Sequence, residues 1–272
     1  MFIGWIRKKS FEADLNKIEE SMAIDKSLIQ KTYLDNSSLC FGAYNDENNL
    51  VAFISAYDQG ESFLINNFFY TADITNDVKK RLLKLLLDNI NEDEKPIMIM
   101  AKKDERGLFS SFKFNEFAKF KRAYYSGGGV AFNFTNATSK SITTENYIPI
   151  MINIDKIAFN TNRMSYTKDV LLKQSSLVLA NDYGYQHSYA INKSLVKISP
   201  WVMKDAAFSE AEKMIRGIIY HRGLKKIYAF IPSDVDEITD LYASYKFDLS
   251  EEYTLYYKNS KPFINLEMVY AF

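Results

Sequence analysis

Apolar positions in this chain fall into short strand-like runs and helical stripes that alternate along its length. LCFGAY (39–44) and LVAFISAY (50–57) flank the polar NDENN, which predicts a hairpin. A third run, Asn66 to Tyr70, precedes Leu82, Leu83, Leu86 and Ile90, spaced as one face of a helix. The apolar PIMIMA (96–101) follows, then a polar loop and a short helix ending in FSSFKF. The same order returns later. SLVLANDYGYQHSYAI (176–191) reads as a hairpin turning near Asp182 to Gly184, and Val196 to Met203 reads as a strand. Met214, Ile215, Ile218 and Ile219 then mark a helix, IYAFIP (227–232) a buried strand, and LYASYKF (241–247) a helix end.

The two passages are a repeat. Aromatic-x-x-aromatic-Lys-Phe occurs in both, and Phe109 and Tyr242, Phe112 and Tyr245, Phe114 and Phe247 are each 133 positions apart. Each half reads helix, β, β, β, helix, β, helix, β. The stretch 127–150, rich in Gly, Ser, Thr and Asn, reads as a linker, giving an N-terminal domain at 1–126 and a C-terminal domain at 151–272. The last segment, PFINLEMVYAF, reads as one more strand that pairs across the halves.

Composition narrows the partners. With 34 basic and 34 acidic side chains in 272 residues the net charge is zero, so no global positive field favours nucleic acid or an anionic membrane. A hydrophobic share of 47% is ample for full cores. Cys40 has no partner for a disulfide, and His187 and His221 lie far from it and from each other, so no metal site is expected. MFIGWIRKKSF is too short for a signal core, and no apolar run reaches membrane length; a soluble cytoplasmic protein is expected.

On these elements, and on IAFNTNR (157–163), ISPWVMKD (198–205), IYAFIPSD (227–234) and LYASYKF, the chain resembles the GCN5-related N-acetyltransferases, and its second half the C-terminal domain of tandem members. The resemblance implies an α+β fold: tandem domains, each a mixed, mostly antiparallel sheet flanked by helices. It also implies acetyl-CoA as donor and an amine on a small molecule or peptide as acceptor, with a homodimer admissible. The donor would lie where the mid-sheet strand splays from its neighbour, with its pyrophosphate on the next helix N-terminus. That assigns Phe69, Tyr70, Asn76, Lys79 and Lys80 in the first half to donor binding, and Trp201, Val202, Met203, Ala206, Ala207, Phe208 and Ser209 in the second. Backbone amides near Val202 and Met203 would polarise the thioester.

The family's phosphate loop carries glycines, and neither 73–79 nor 204–210 has one; Asp77 also stands where a negative charge opposes phosphate. Which half binds the donor stays open. The resemblance makes Tyr242 the acid that protonates the departing thiolate; its counterpart Phe109 cannot donate, which points to the second half as catalytic. With 19 tyrosines in the chain, an aromatic at this helical position is packing first, and Tyr245 is the weaker candidate acid. Trp201 suits the acceptor pocket or the splayed gap, and equally the core. Arg163 is expected in a structural salt bridge between the domains rather than on an acidic acceptor, and His221 at a helix C-terminal stop. His187 is expected as a partly exposed strand residue, and Asp58 and Glu61 in a solvated turn. Gly127 to Gly129 read as a hinge or bulge. NEDEK (91–95) and KKDER (102–106) read as solvated loops. The lone Cys40, in a core strand, gives no reason for a covalent intermediate. The alternative reading is a catalytically inactive ligand-binding or interaction module on the same fold.

Overall fold

A computed structural model describes residues 1–18, 24–90, 94–128, 148–171 and 175–272. Most of the expected linker, 129–147, lies outside the described residues. The chain forms two compact units: residues 1–117 with 255–261, and residues 118–254 with 262–272.

In the first unit β1 (Phe2–Trp5), β2 (Cys40–Tyr44), β3 (Leu50–Asp58), β4 (Phe63–Tyr70) and β5 (Ile97–Lys102) lie side by side in sequence order. The pairs are antiparallel up to β4, and β4 and β5 are parallel. Strand alternation divides the apolar side chains between two faces. Phe41, Ala43, Ala52 and Ile54 pack with Leu82, Leu83 and Leu86 of α3 (Asn76–Asn89) and with Leu108 and Phe109 of α4 (Arg106–Ser111). Cys40, Tyr44 and Phe53 pack on the other face with Phe11 and Leu15 of α1 (Phe11–Lys17) and Ile29 of α2 (Lys26–Asp35).

The second unit repeats the order from its leading helices onward, without a counterpart of β1 among the described residues. After α5 (Ile148–Phe159) and α6 (Met164–Leu171) come β7 (Leu177–Asn181), β8 (Gly184–Ala190), β9 (Leu195–Met203), α7 (Phe208–Arg222), β10 (Lys226–Pro232) and α8 (Asp236–Ser244). The strands run β7-β8-β9-β10, and β10 pairs antiparallel with the 120–125 end of β6 (Asn115–Tyr125). β11 (Asp248–Lys258) contributes residues 248–254 to this unit and 255–258 to the first. The end of the chain forms β12 (Val269–Ala271), which pairs with β9 of the same unit rather than with the other half as expected.

The repeated aromatic-Lys-Phe sequence is a helix stop. Lys113 and Lys246 both adopt the left-handed conformation, φ 62° and 63°. Behind α4, the Phe114 amide donates to the Phe109 carbonyl and the Lys113 amide to that of Ser110. Behind α8, Phe247 donates to Tyr242 and Lys246 to Ala243 in the same way. Each is a Schellman closure, sealed by an edge-on ring pair: Phe109 with Phe114 at 5.7 Å, and Tyr242 with Phe247 at 5.0 Å.

Candidate functional site

The two units differ at the strand that leads into their central helix. Parallel pairing of β4 with β5 covers Phe63–Ile65 and Ile97–Ile99 and goes no further. Its end coincides with a bulge: Ser55 faces Asn67 and Ala56 faces Ile65, so Asn66 is the extra residue. A bulge bends its strand, and the bend carries the end of β4 away from β5. The Asn66 amide is held at the bulge, accepting from Ser55 Oγ at 2.7 Å and donating to Thr32 Oγ1 at 2.8 Å. Asn66, Asn67, Phe68 and Tyr70 stay partly exposed beyond it.

Below this opening, α3 starts at Asn76 with no side-chain cap from Thr75, which leaves its first amides free for an anion. A cavity of about 350 Å³ is lined by Tyr70, Asn76, Lys79, Lys80, Asp104, Glu105, Gly107 and Leu108. Four of the five residues expected here from the first half are thus brought together. The fifth, Phe69, lies with Tyr70 on a second cavity of about 580 Å³, lined also by Lys17, Ile18, Asn45, Asn49, Leu50, Val51, Thr71 and Ala72. Tyr70 belongs to both. Its hydroxyl donates to Glu105, and the Lys79 ammonium sits 3.5 Å from its ring centre. Burial first, and then the Glu105 carboxylate, push the Tyr70 phenol above its ordinary range. Asp104 and Glu105 were hidden within KKDER, whose alternating charge reads as a solvated loop. The signal available was its position directly after a buried strand.

In the second unit the corresponding opening is filled. β9 and β10 pair in parallel at Leu195–Lys197 and Lys226–Tyr228, and then β12 enters: Val269 pairs with Val202, and Ala271 with Trp201. The Phe272 amide donates to Phe230 of β10 at 2.9 Å. The other edge of β9 is paired with β8, through Tyr185 and Val202 and through Gly184 and Met203. Trp201, Val202 and Met203, expected at the donor, are therefore core residues with no solvent exposure. Tyr242, expected as the acid, is fully buried, and its hydroxyl donates to the Tyr270 carbonyl at 3.0 Å. Burial pushes its phenol well above its ordinary value. Tyr245 donates to Glu212 at 2.9 Å and receives Arg216 Nε at 2.5 Å, a tie between α7 and the end of α8. Ala206 (φ 56°), Ala207, Phe208 and Ser209 do form the entry of α7, which also lacks a side-chain cap. Glu210 in that first turn is engaged by Asn181 and Lys213.

Among the remaining expectations, Arg163 is in a buried ion pair, but its partner Asp155 belongs to the same unit, so the pair does not join the domains as expected. Arg163 grips Asp155 through Nε at 3.0 Å and Nη2 at 2.6 Å, over the Phe159 ring. His187 is fully buried instead of partly exposed. The Ser199 carbonyl, 2.6 Å from Nδ1, can only accept, so Nδ1 carries the proton and Nε2 accepts from Ser176 at 2.8 Å. His221 is exposed in the last turn of α7. Asp58 and Glu61 are exposed, with Asp58 accepting from the Gly60 amide. Gly127 and Gly128 have positive φ, and Gly129 lies outside the described residues. Among the described residues no cluster of His, Cys, Asp and Glu could hold a metal, and no helix is long and apolar enough to cross a membrane.

No family model and no curated protein matches the sequence. Solved structures do. A Putative Acetyltransferase from Pyrococcus horikoshii superposes with a TM-score of 0.75 at 17% identity, covering 99% of this chain and 93% of that one. A GCN5-related N-acetyltransferase from Sphaerobacter thermophilus gives 0.61 at 11% identity, covering 98% of each chain. A tandem GNAT protein from the clavulanic acid biosynthesis pathway gives 0.62 at 8% identity, covering 96% of this chain and 99% of that one. With a β-β-β-α-β-α-β order after the leading helices of each half, preceded in the first by β1, and with these neighbours over nearly its whole length, the chain has the tandem fold of the GCN5-related N-acetyltransferases.

Proposed function

We propose that the protein is an N-acyltransferase that takes an acyl group, acetyl in the simplest case, from a CoA thioester bound in the first unit. The observation that carries this is the contrast between the two openings. Beyond its bulge β4 keeps an unpaired, partly exposed edge above an uncapped helix start with Lys79 and Lys80, whereas the same stretch of β9 is buried and paired on both edges. A free strand edge suits the amides of the pantetheine arm, and the helix start and lysines suit its pyrophosphate. The acceptor amine attacks the thioester carbonyl directly, its nitrogen gives up a proton to water, the C–S bond breaks, and the thiolate leaves. Phe109, at the place of Tyr242, donates no proton, so the thiolate takes its proton from solvent.

Under this reading Tyr242, Trp201, Val202 and Met203 are structural, and the CoA thioester and an amine are the partners, without nucleic acid, membrane or metal. The sequence repeat remains our division of the chain, 1–126 and 151–272 about a linker at 127–150, in a cytoplasmic protein. Titration of acetyl-CoA with melting temperature and heat as readouts is the test. Micromolar binding that weakens about tenfold in Lys79→Ala is expected, and no response at millimolar CoA would overturn the reading. Asp104 and Glu105 beside the lysines favour the second reading, a binding module without turnover. Binding with no acyl transfer to any of a panel of amines would select it.

A further inference from the structure

The opening between β9 and β10 has every feature of a site that holds an extended strand. The backbone of 269–272 reaches both walls: it pairs with β9 at Val202 and Trp201, and the Phe272 amide donates to Phe230 on β10. The Tyr270 carbonyl between them takes the Tyr242 hydroxyl. Side-chain pockets fix what fits. The Tyr270 ring packs on the Trp201 indole at 5.2 Å. Ala271 faces Trp201 with no solvent exposure, so a larger residue has nowhere to go. The Phe272 ring lies against Phe120 at 5.8 Å and Phe159 at 6.1 Å. Backbone pairing supplies affinity and alternate pockets supply selectivity, the division of labour of strand-addition sites.

We propose that this opening is a peptide-binding groove for an extended aromatic–small–aromatic segment, with residues 270–272 as its resident ligand in cis. The groove thereby holds a strand where the repeat would place a donor, and the chain binds one donor, not two. Only this stoichiometric corollary rests on the functional reading above. The groove itself stands apart from it.

The test is a chain ending at Lys261, with its melting temperature measured alone, with a synthetic peptide of residues 262–272, with that peptide carrying Ala271→Arg, and with CoA. A fall of several degrees, restored by the native peptide and not by the Ala271→Arg peptide, is expected. An unchanged melting temperature on deletion, or equal rescue by the two peptides, overturns the groove. Donor binding at the first unit can fail without touching this result; rescue by CoA in place of the peptide would overturn the assignment of the groove to a strand. Should the shortened chain not fold, hydrogen exchange on the full chain decides. The Phe272 amide is expected to exchange at least 100-fold more slowly than a free-chain amide, and exchange at the free-chain rate overturns the proposal.

Discussion

The Tyr242 hydroxyl donates 3.0 Å to the backbone carbonyl of Tyr270, and this one bond ties the end of α8 to the strand that closes the second unit's opening. A phenol so committed, with no solvent exposure, cannot deliver a proton to a leaving group. Tyr242→Phe is therefore expected to cost about 1 kcal/mol of stability, the scale of a buried neutral hydrogen bond, while acyl transfer is unchanged. Chemical denaturation and initial rates check both halves of this statement. A fall in kcat at constant stability would return the acid role to Tyr242.

At the first unit's cavity two charges of opposite sign predict opposite effects. Lys79 and Lys80 face the space below β4, and so does the Glu105 carboxylate, which accepts from Tyr70 and from the Lys102 amide at 3.1 Å. Glu105→Gln keeps an acceptor oxygen for one of these two donors, leaves an NH2 at the place of the other, and removes a negative charge that opposes phosphate. Donor binding is expected to tighten several-fold in Glu105→Gln and to weaken in Lys80→Ala, with the gap between them shrinking as salt is added. Calorimetric titrations at two ionic strengths read this directly. Equal affinities for the two variants would place the phosphates elsewhere.

Much of this architecture was legible because the repeat is carried by residues with a mechanical task. Lys113 and Lys246 take the left-handed turn that ends a helix, and Phe114 and Phe247 fold back on Phe109 and Tyr242. A constraint that is local in sequence leaves a local pattern. The donor residues of the first half were legible for a similar reason, since a strand end and the following helix start lie close in sequence. What closes the second opening was not. Residues 269–271 meet Trp201 and Val202 some 70 positions away, and pairing at that distance is decided by topology. Tyr242 was therefore assigned from its helical position, without the carbonyl that occupies it. The burial of His187 is hidden likewise, because its partners lie on the two neighbouring strands, Ser176 just before β7 and Ser199 in the middle of β9.

The ion pair of Arg163 and Asp155 makes a prediction about stability alone. Both groups are buried, the guanidinium contacts both carboxylate oxygens, and the Tyr185 hydroxyl adds a third bond to Asp155 at 2.8 Å. Burial works against the Arg163 charge, but Asp155 more than offsets it, so the guanidinium keeps its charge. Arg163→Ala strands a buried carboxylate and is expected to cost about 3–5 kcal/mol. Donor affinity in any molecules that remain folded should be unchanged. Denaturation curves of Arg163→Ala and Arg163→Lys check this. A loss below about 1 kcal/mol would show that Asp155 finds water or another donor.

Cys40 supplies a pH-dependent prediction whose sign can be worked out. It lies in β2 with no solvent exposure, and burial pushes its thiol from an ordinary value near 9 up to about 12. The thiolate is the reactive form, so at pH 8 the folded chain should resist alkylation and label only when denatured. The same shift is a stability term. Below about pH 9 the thiol is neutral in both the folded and the unfolded chain, and the contribution is fully present. Between about 9 and 12 the unfolded chain ionises while the folded one cannot, so stability falls as pH rises through that window. Cys40→Ala removes this part of the alkaline decline, although it leaves a small cavity that lowers stability at every pH. Melting temperatures from pH 8 to 11 should therefore start lower in the variant and fall less steeply than in the parent. Parallel curves would show that the tyrosines, not Cys40, carry the alkaline loss, and labelling of the folded chain at pH 8 would show that β2 opens.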